Sequence, residues 1–145
     1  MGLGRACEVS ARDMEKEAGH LRGLRDRIEE GLKKRIGHVY VNGDTESRLP
    51  NTSNMSFEFV EGESLLLNLD MKGVAASSGS ACTSGSLEPS HVLLAMGMSH
   101  ELSHGSVRFS LGRNNTVEDI DFLLDNMPGI VERMRGMSPL YAGAK

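Results

Sequence analysis

One helical pattern occupies most of the first quarter of the chain. Its apolar residues recur every three or four positions, at Leu21, Leu24, Ile28, Leu32 and Ile36. Charged side chains fill the opposite face, which is the pattern of an amphipathic helix with one buried stripe. We therefore predict a helix from about Arg5 to Ile36, with Gly37 as its stop. It is the longest element that the sequence predicts.

Shorter elements alternate through the rest of the chain. Apolar runs and period-two patterns predict strands at His38–Val41, Met55–Phe59, Val74–Ala76 and Ser106–Leu111. Helices are predicted at Gly62–Asp70, at His91–Met96 with Pro89 in its first turn, and after the capping-box pair Thr116 and Asp119. We expect Pro128–Gly129 to kink or break the last helix, and the tail from Tyr141 to fray.

This order of elements predicts one α+β domain covering residues 1–145. The spacing of several strands suits hairpins, so the expected architecture is a small, mostly antiparallel sheet with helices packed on one face. A chain of 145 residues with 39% hydrophobic content can bury one modest core.

Charge and composition exclude several classes of function. The formal net charge is −4, and acidic and basic residues are mixed along the chain, which argues against nucleic acid as a partner. No apolar run approaches the length of a membrane span, and the first residues carry no hydrophobic signal core. We expect a cytoplasmic protein that does not bind a membrane.

The two cysteines differ in their surroundings. Cys7 falls on the first predicted helix, where a structural thiol is the simpler interpretation. Cys82 lies in a Ser/Gly-rich run at residues 77–86, which predicts a mobile loop. An accessible thiol on a flexible tether suits sulfur transfer between two partners, although an incidental surface thiol is the alternative. Neither cysteine belongs to a Cys-x-x-Cys pair, and a reducing compartment fits best.

A second motif competes with the cysteine. Residues 100–104 read His-Glu-Leu-Ser-His, the pattern in which zinc metalloproteases hold a metal with two histidines and use the glutamate as a base. Those proteases place the motif inside a substantial helix, whereas Gly97 and Gly105 bracket it here. A third ligand is not obvious, so the sequence predicts no metal site.

The run around Cys82 resembles a known family. Residues 77–90 read Ser-Ser-Gly-Ser-Ala-Cys-Thr-Ser-Gly-Ser-Leu-Glu-Pro-Ser, which resembles the active-site cysteine loop of class-I cysteine desulfurases of the NifS/IscS type, within the class-V aminotransferases. The similarity extends to residues 21–27, 41–44, 61–65, 106–113 and 137–140. It covers nearly the whole chain, and it implies the small domain of a fold-type I pyridoxal phosphate enzyme.

The resemblance implies roles for two residues. Cys82 stands at the position of the nucleophile that takes sulfur from L-cysteine, bound as a pyridoxal phosphate adduct, and becomes a persulfide. Arg108 stands where the family binds the substrate carboxylate, a task that suits the planar fork of a guanidinium. A surface arginine is the simpler interpretation for Arg113.

The family's cofactor-binding half has no counterpart here. Its large domain supplies a Schiff-base lysine and forms most of a homodimer interface, and no lysine of this chain lies in a comparable motif. We therefore predict a desulfurase small domain that is inactive without a large-domain chain carrying pyridoxal phosphate. Its sulfur would pass to an iron–sulfur scaffold or another acceptor. A stand-alone persulfide carrier and an inert fragment are the non-enzymatic alternatives.

Overall fold

The computed structural model describes residues 2–78 and 89–142. The helices are α1 (Gly2–Arg35), α2 (Gly62–Asp70), α3 (His91–Ala95), α4 (His100–His104), α5 (Val117–Met137) and α6 (Pro139–Ala142). The strands are β1 (Val39–Val41), β2 (Thr52–Phe57), β3 (Ser77–Ser78) and β4 (Ser106–Ser110). None of the helices within the described ranges is long and apolar enough to span a membrane.

The four strands form one antiparallel sheet in the order β1-β2-β4-β3. Helices α1 and α2 contact the strands, and α5 packs against both helices. The buried core includes Ile28 and Leu32 of α1, Met55 and Phe57 of β2, Leu65 and Leu69 of α2, Val107 of β4, and Leu124 and Met127 of α5. The predicted α+β layer, with helices on a small antiparallel sheet, is confirmed.

Two glycines allow close backbone packing, of the start of α2 against the end of α4 and of the residue after α4 against β2. A Cβ added to Gly62 would lie 2.6 Å from the backbone oxygen of His104, and one added to Gly105 would lie 2.3 Å from that of Phe57. Neither backbone position can move independently of the sheet, so no side chain fits there. Glu61 caps α2 by accepting hydrogen bonds from the backbone N–H groups of Glu63 and Ser64.

The strand predicted at Val74–Ala76 is wrong. Gly73, with φ +78°, ends the turn after α2, and the Val74 N–H donates to the Leu69 carbonyl at 3.0 Å. The backbone here therefore closes the helix instead of pairing with the sheet. Pairing with β4 begins later, at Ser77 and Ser78, which the sequence had placed inside the mobile loop.

Of the kink or break predicted at Pro128–Gly129, the break is wrong, because α5 continues from Val117 to Met137 with Pro128 inside it. Proline has no N–H to donate to the carbonyl four residues earlier, which belongs to Leu124. The Arg35 guanidinium of α1 donates to that carbonyl at 2.8 Å and also binds Asp125 at 2.6 Å. A side chain of the neighbouring helix thus replaces the missing donor. The capping box of Thr116 and Asp119 is confirmed.

The sequence predicted fraying from Tyr141 onward, and this is wrong for Tyr141, while residues 143–145 lie outside the described residues. Tyr141 lies on α6, with its ring 5.5 Å from the ring of Phe59 and 5.5 Å from the Arg135 guanidinium carbon. Buried Arg135 donates in turn to the carbonyls of Glu58 and His38. Burial lowers the pKa of Arg135, against the opposing influence of Tyr141 and Glu58. Aromatic and cation–π contacts therefore hold the last turn.

Helix α1 confirms the long amphipathic pattern, but its two halves have different environments. The second half carries the buried residues, from Leu21 to Leu32. The first half is largely exposed, and its Cys7 thiol is free and exposed. The interpretation of Cys7 as a packed structural thiol is therefore wrong. The apolar residues of the predicted pattern all lie in this second half, so the pattern gave no information on the environment of Cys7.

Candidate functional site

Arg108 occupies the middle of β4, near the centre of the sheet. In the strand register it lies opposite Asn54 of β2 on one side and opposite Ser77 of β3 on the other. Asn42, just after β1, donates its backbone N–H to the Asn54 carbonyl at 2.8 Å. Because residues opposite each other in antiparallel strands share a face, these four side chains form one row across the sheet, here called the polar row.

The Nε of Arg108 is buried and has no hydrogen-bond partner among the described residues. No ion pair joins Arg108 to a carboxylate anywhere in residues 2–78 or 89–142. Other enclosed arginines are satisfied: Arg48 binds Glu29 at 2.6 and 2.7 Å, and Arg135 binds two carbonyls. Leaving a buried cationic donor unpaired costs free energy. Arg108 is therefore chemically suited to bind an anion, and a carboxylate matches its fork.

Cys82 lies outside the described residues, and the prediction that its loop is mobile concerns mainly residues outside them as well. The chain enters that segment from Ser78, immediately after Ser77, which is directly opposite Arg108. It leaves the segment at Pro89 and reaches α3 through Ser90, which is the N-cap of that helix. Pro89 therefore precedes the cap, and its predicted place in the first turn is wrong. The start of the cysteine-bearing segment is adjacent to Arg108 in the sheet.

The His-Glu-x-x-His motif forms a single short helix. All five residues of α4 belong to it, and His100, Glu101 and His104 are exposed. Gly105 ends the helix, and β4 follows at once. No group of three or more potential metal ligands occurs among the described residues. His104 is the last residue of α4.

Arg113 makes the kind of contact expected of a surface arginine. Its Nε lies 3.5 Å from Glu17 of α1, and both side chains are accessible to solvent. The polar row, in contrast, was only partly anticipated. The sequence singled out Arg108 through its motif, but Asn42 and Asn54 were missed. The predicted strand began at Met55, one residue too late to place Asn54 beside Arg108.

The small antiparallel sheet with helices packed on it is also found in solved NifS-like proteins. Residues 1–123 match the aminotransferase class-V family, and the chain belongs to that family. The family depends on pyridoxal phosphate.

The chain is similar to curated cysteine desulfurases. It is 56% identical over 144 residues to the cysteine desulfurase of Gluconacetobacter diazotrophicus, covering 99% of this chain and 36% of that protein. It is 53% identical to the cysteine desulfurase IscS 1 of Archaeoglobus fulgidus, over 97% of this chain and 37% of that protein. The solved NifS-like protein of Rickettsia africae superposes with a TM-score of 0.79 at 27% identity, over 90% of this chain and 33% of that one. The resemblance to NifS/IscS enzymes is confirmed, and the chain spans little more than a third of the length of these curated relatives.

The described residues do not form a complete pyridoxal phosphate site. Lys16, Lys33, Lys34 and Lys72 are all exposed, the first three on α1 and the last just after α2. None belongs to the polar row. A Schiff-base lysine must be enclosed beside the reacting atoms, so these four do not fit the role.

Proposed function

We propose that this chain is the sulfur-accepting part of a cysteine desulfurase. In this proposal Cys82 receives the sulfur of L-cysteine, and Arg108 holds the substrate carboxylate. The observation that carries the proposal is the unpaired Arg108 guanidinium, directly opposite Ser77 at the entrance to the cysteine-bearing segment. The curated relatives named as cysteine desulfurases support it.

The proposed transfer balances without an added oxidant. The Cys82 thiolate attacks the substrate sulfur, so that a sulfur–sulfur bond forms and the substrate carbon–sulfur bond breaks. The carbon fragment keeps the bonding electron pair and gains a proton, which gives L-alanine and a Cys82 persulfide. Pyridoxal phosphate, when bound elsewhere in the complete enzyme, supplies the electron sink that this bond cleavage requires.

The division of labour follows from the same residues. We propose that residues 1–145 act as the small domain, and that catalysis needs a large domain that carries the Schiff-base lysine. The isolated chain then has no turnover, because none of its described lysines fits that role. The persulfide would be passed to an iron–sulfur assembly scaffold or another sulfur acceptor, in a homodimer formed mainly through the large domain.

Intact-mass spectrometry tests this proposal. The chain is incubated with L-cysteine and pyridoxal phosphate, with and without a separately expressed desulfurase large domain. A mass gain of one sulfur only in the presence of the large domain is the expected result. Cys82→Ser should abolish the gain. Cys7→Ser is the matched control, because it removes the other thiol of the chain and should leave the gain unchanged.

The other outcomes separate the alternatives. A persulfide formed without the large domain would contradict the need for it. A persulfide that appears only when a complete desulfurase donates it would identify a stand-alone carrier. No persulfide in any of the mixtures would indicate an inert fragment, and sulfur on Cys7 alone would exclude the role of Cys82.

A further inference from the structure

The polar row contains a second group suited to the same anion. Asn54 lies directly opposite Arg108 in the β2–β4 register, so their side chains leave the sheet on the same face. Opposed residues of antiparallel strands have Cβ atoms about 5 Å apart, within the span of a single carboxylate bound by both side chains. Both residues are half-buried, which leaves the row partly open to solvent.

Asn42 fixes the orientation of the Asn54 amide. The Asn42 Nδ2 donates to the Asn54 Oδ1 at 2.6 Å and to the Ser56 hydroxyl at 2.8 Å. The oxygen of Asn54 is thereby engaged on the β1 side. Its Nδ2 donates no hydrogen bond within the part of the chain that the structure describes. An amide with its acceptor engaged and its donors free is oriented to bind an acceptor.

The described carboxylates do not supply that acceptor. Glu58 accepts from Tyr40 and lies 3.0 Å from the Nδ1 of His38, and Glu29, on the opposite face of the sheet, binds Arg48. Among the described residues, none of the carboxylates pairs with Arg108. Arg108 and Asn54 therefore present two adjacent donor groups, one of them charged and with a buried unpaired nitrogen, on the same face of the sheet.

We propose that Asn54 is a second carboxylate-binding residue, which determines specificity by donating its Nδ2 to one oxygen of the substrate carboxylate while Arg108 binds the other. Asn42 is the positioning residue, because it acts through the Asn54 oxygen. This inference rests on the proposed function and deepens it. The paired donors select free α-amino acids over amines, amides and esters, which lack a carboxylate.

Side-chain NMR of the ¹⁵N-labelled 145-residue chain tests the assignment directly. The probe is L-alanine, the proposed product, which carries the carboxylate but has no sulfur to transfer. The expected result is a saturable shift of both the Asn54 Nδ2 and the Arg108 Nε signals at the same ligand concentration. L-Alaninamide, in which a neutral amide replaces the carboxylate, should shift neither signal.

Three variants separate recognition from structure. Asn54→Ala should weaken L-alanine binding about tenfold, the expected loss for a hydrogen bond to a charged group. Asn54→Asp keeps an oxygen for Asn42 but removes the donors and adds a negative charge, so it should weaken binding at least as much. Ser110→Ala changes an exposed residue of β4, two positions from Arg108 and on the same face of the sheet, and it should leave the affinity for L-alanine unchanged.

The outcomes distinguish this inference from the proposed function. If Arg108 responds to L-alanine and Asn54 does not, or if Asn54→Asp binds normally, the Asn54 assignment is wrong while the role of Arg108 stands. If neither signal responds, both assignments are overturned. Far-ultraviolet circular dichroism of each variant, compared with Ser110→Ala, identifies any loss that comes from unfolding.

Discussion

Glu29 is the charged residue whose replacement should destabilise the fold most clearly. It lies on α1, is 7% exposed, and accepts two hydrogen bonds from Arg48, at 2.6 and 2.7 Å. It also accepts one from the buried Ser53 hydroxyl at 2.6 Å. In Glu29→Gln the shape is kept and the charge is lost, and the new amide N–H groups face donors on Arg48 and Ser53.

The magnitude follows from the burial of the pair. Breaking a buried ion pair by altering one partner costs about 3–5 kcal/mol. The Arg48 side chain is 15% exposed and can recover some hydration, so we expect the free energy of unfolding to fall by about 2–3 kcal/mol. For a chain of this size that corresponds to a melting temperature lower by roughly 7–10 °C.

Urea unfolding followed by circular dichroism measures the change, with the thermal midpoint as a second readout. Glu8→Gln is the matched control, because Glu8 pairs with Arg5 at 2.9 Å while both side chains remain largely exposed. That substitution should change the free energy of unfolding by less than about 0.5 kcal/mol. A loss below about 1 kcal/mol for Glu29→Gln, or equal losses for both variants, would refute the reasoning.

Three further predictions use the same unfolding assay. Gly105→Ala should lower the free energy of unfolding by about 2 kcal/mol or more, because the added Cβ would clash with backbone atoms. Gly136→Ala, where the added Cβ meets open space, should instead raise it by roughly 0.5 kcal/mol by favouring the helical state of α5. Burial raises the pKa of Glu61, but the capping hydrogen bonds to its carboxylate together have the larger effect, and the pKa in the folded protein is lowered overall. The stabilisation by the charged carboxylate is therefore present above the ordinary glutamate pKa, and it is lost as the pH falls through the lowered pKa of the folded protein. Glu61→Gln should therefore destabilise at pH 7 by roughly 0.5–1 kcal/mol, and the difference should shrink in acid. Arg35→Ala should lower the free energy of unfolding by about 1 kcal/mol. The loss should be smaller in a Pro128→Ala background, because residue 128 then has a backbone N–H for the Leu124 carbonyl. An equal loss in both backgrounds of this double-mutant cycle would show that Arg35 does not replace the missing donor.

Local signals in the sequence predicted much of the fold. The helix from Gly62 to Asp70 and the capping box at Thr116 depend on neighbouring residues only, and both predictions agree with the structure. The errors arose where distant residues decide the outcome. Pro128 stays within a helix because Arg35, far away in the sequence, supplies a donor. Tyr141 is ordered because Arg135 and Phe59 form a surface for it.

The candidate site shows the same limit. The family resemblance implied carboxylate recognition by Arg108, but no sequence pattern reveals that its buried Nε has no hydrogen-bond partner among the described residues. The partners of Arg108 in the row depend on strand register, and a shift of one residue moves a side chain to the opposite face. The predicted strand began at Met55, three residues after the observed start of β2 at Thr52, and so left Asn54 outside the sheet.

The buried ion pair and the polar row are parts of one arrangement. Asn42 begins the connection between β1 and β2, and Asn54 lies on β2 just beyond the end of that connection, so the path of the connection affects how their amides meet. Arg48 within it binds Glu29 of α1, and the Leu49 carbonyl accepts from Arg25 of α1 at 2.9 Å. Helix α1 thus fixes the connection from the far side of the sheet. Loss of the Glu29 charge should therefore loosen the Asn42–Asn54 contact, and weaken carboxylate binding in a protein that is still folded.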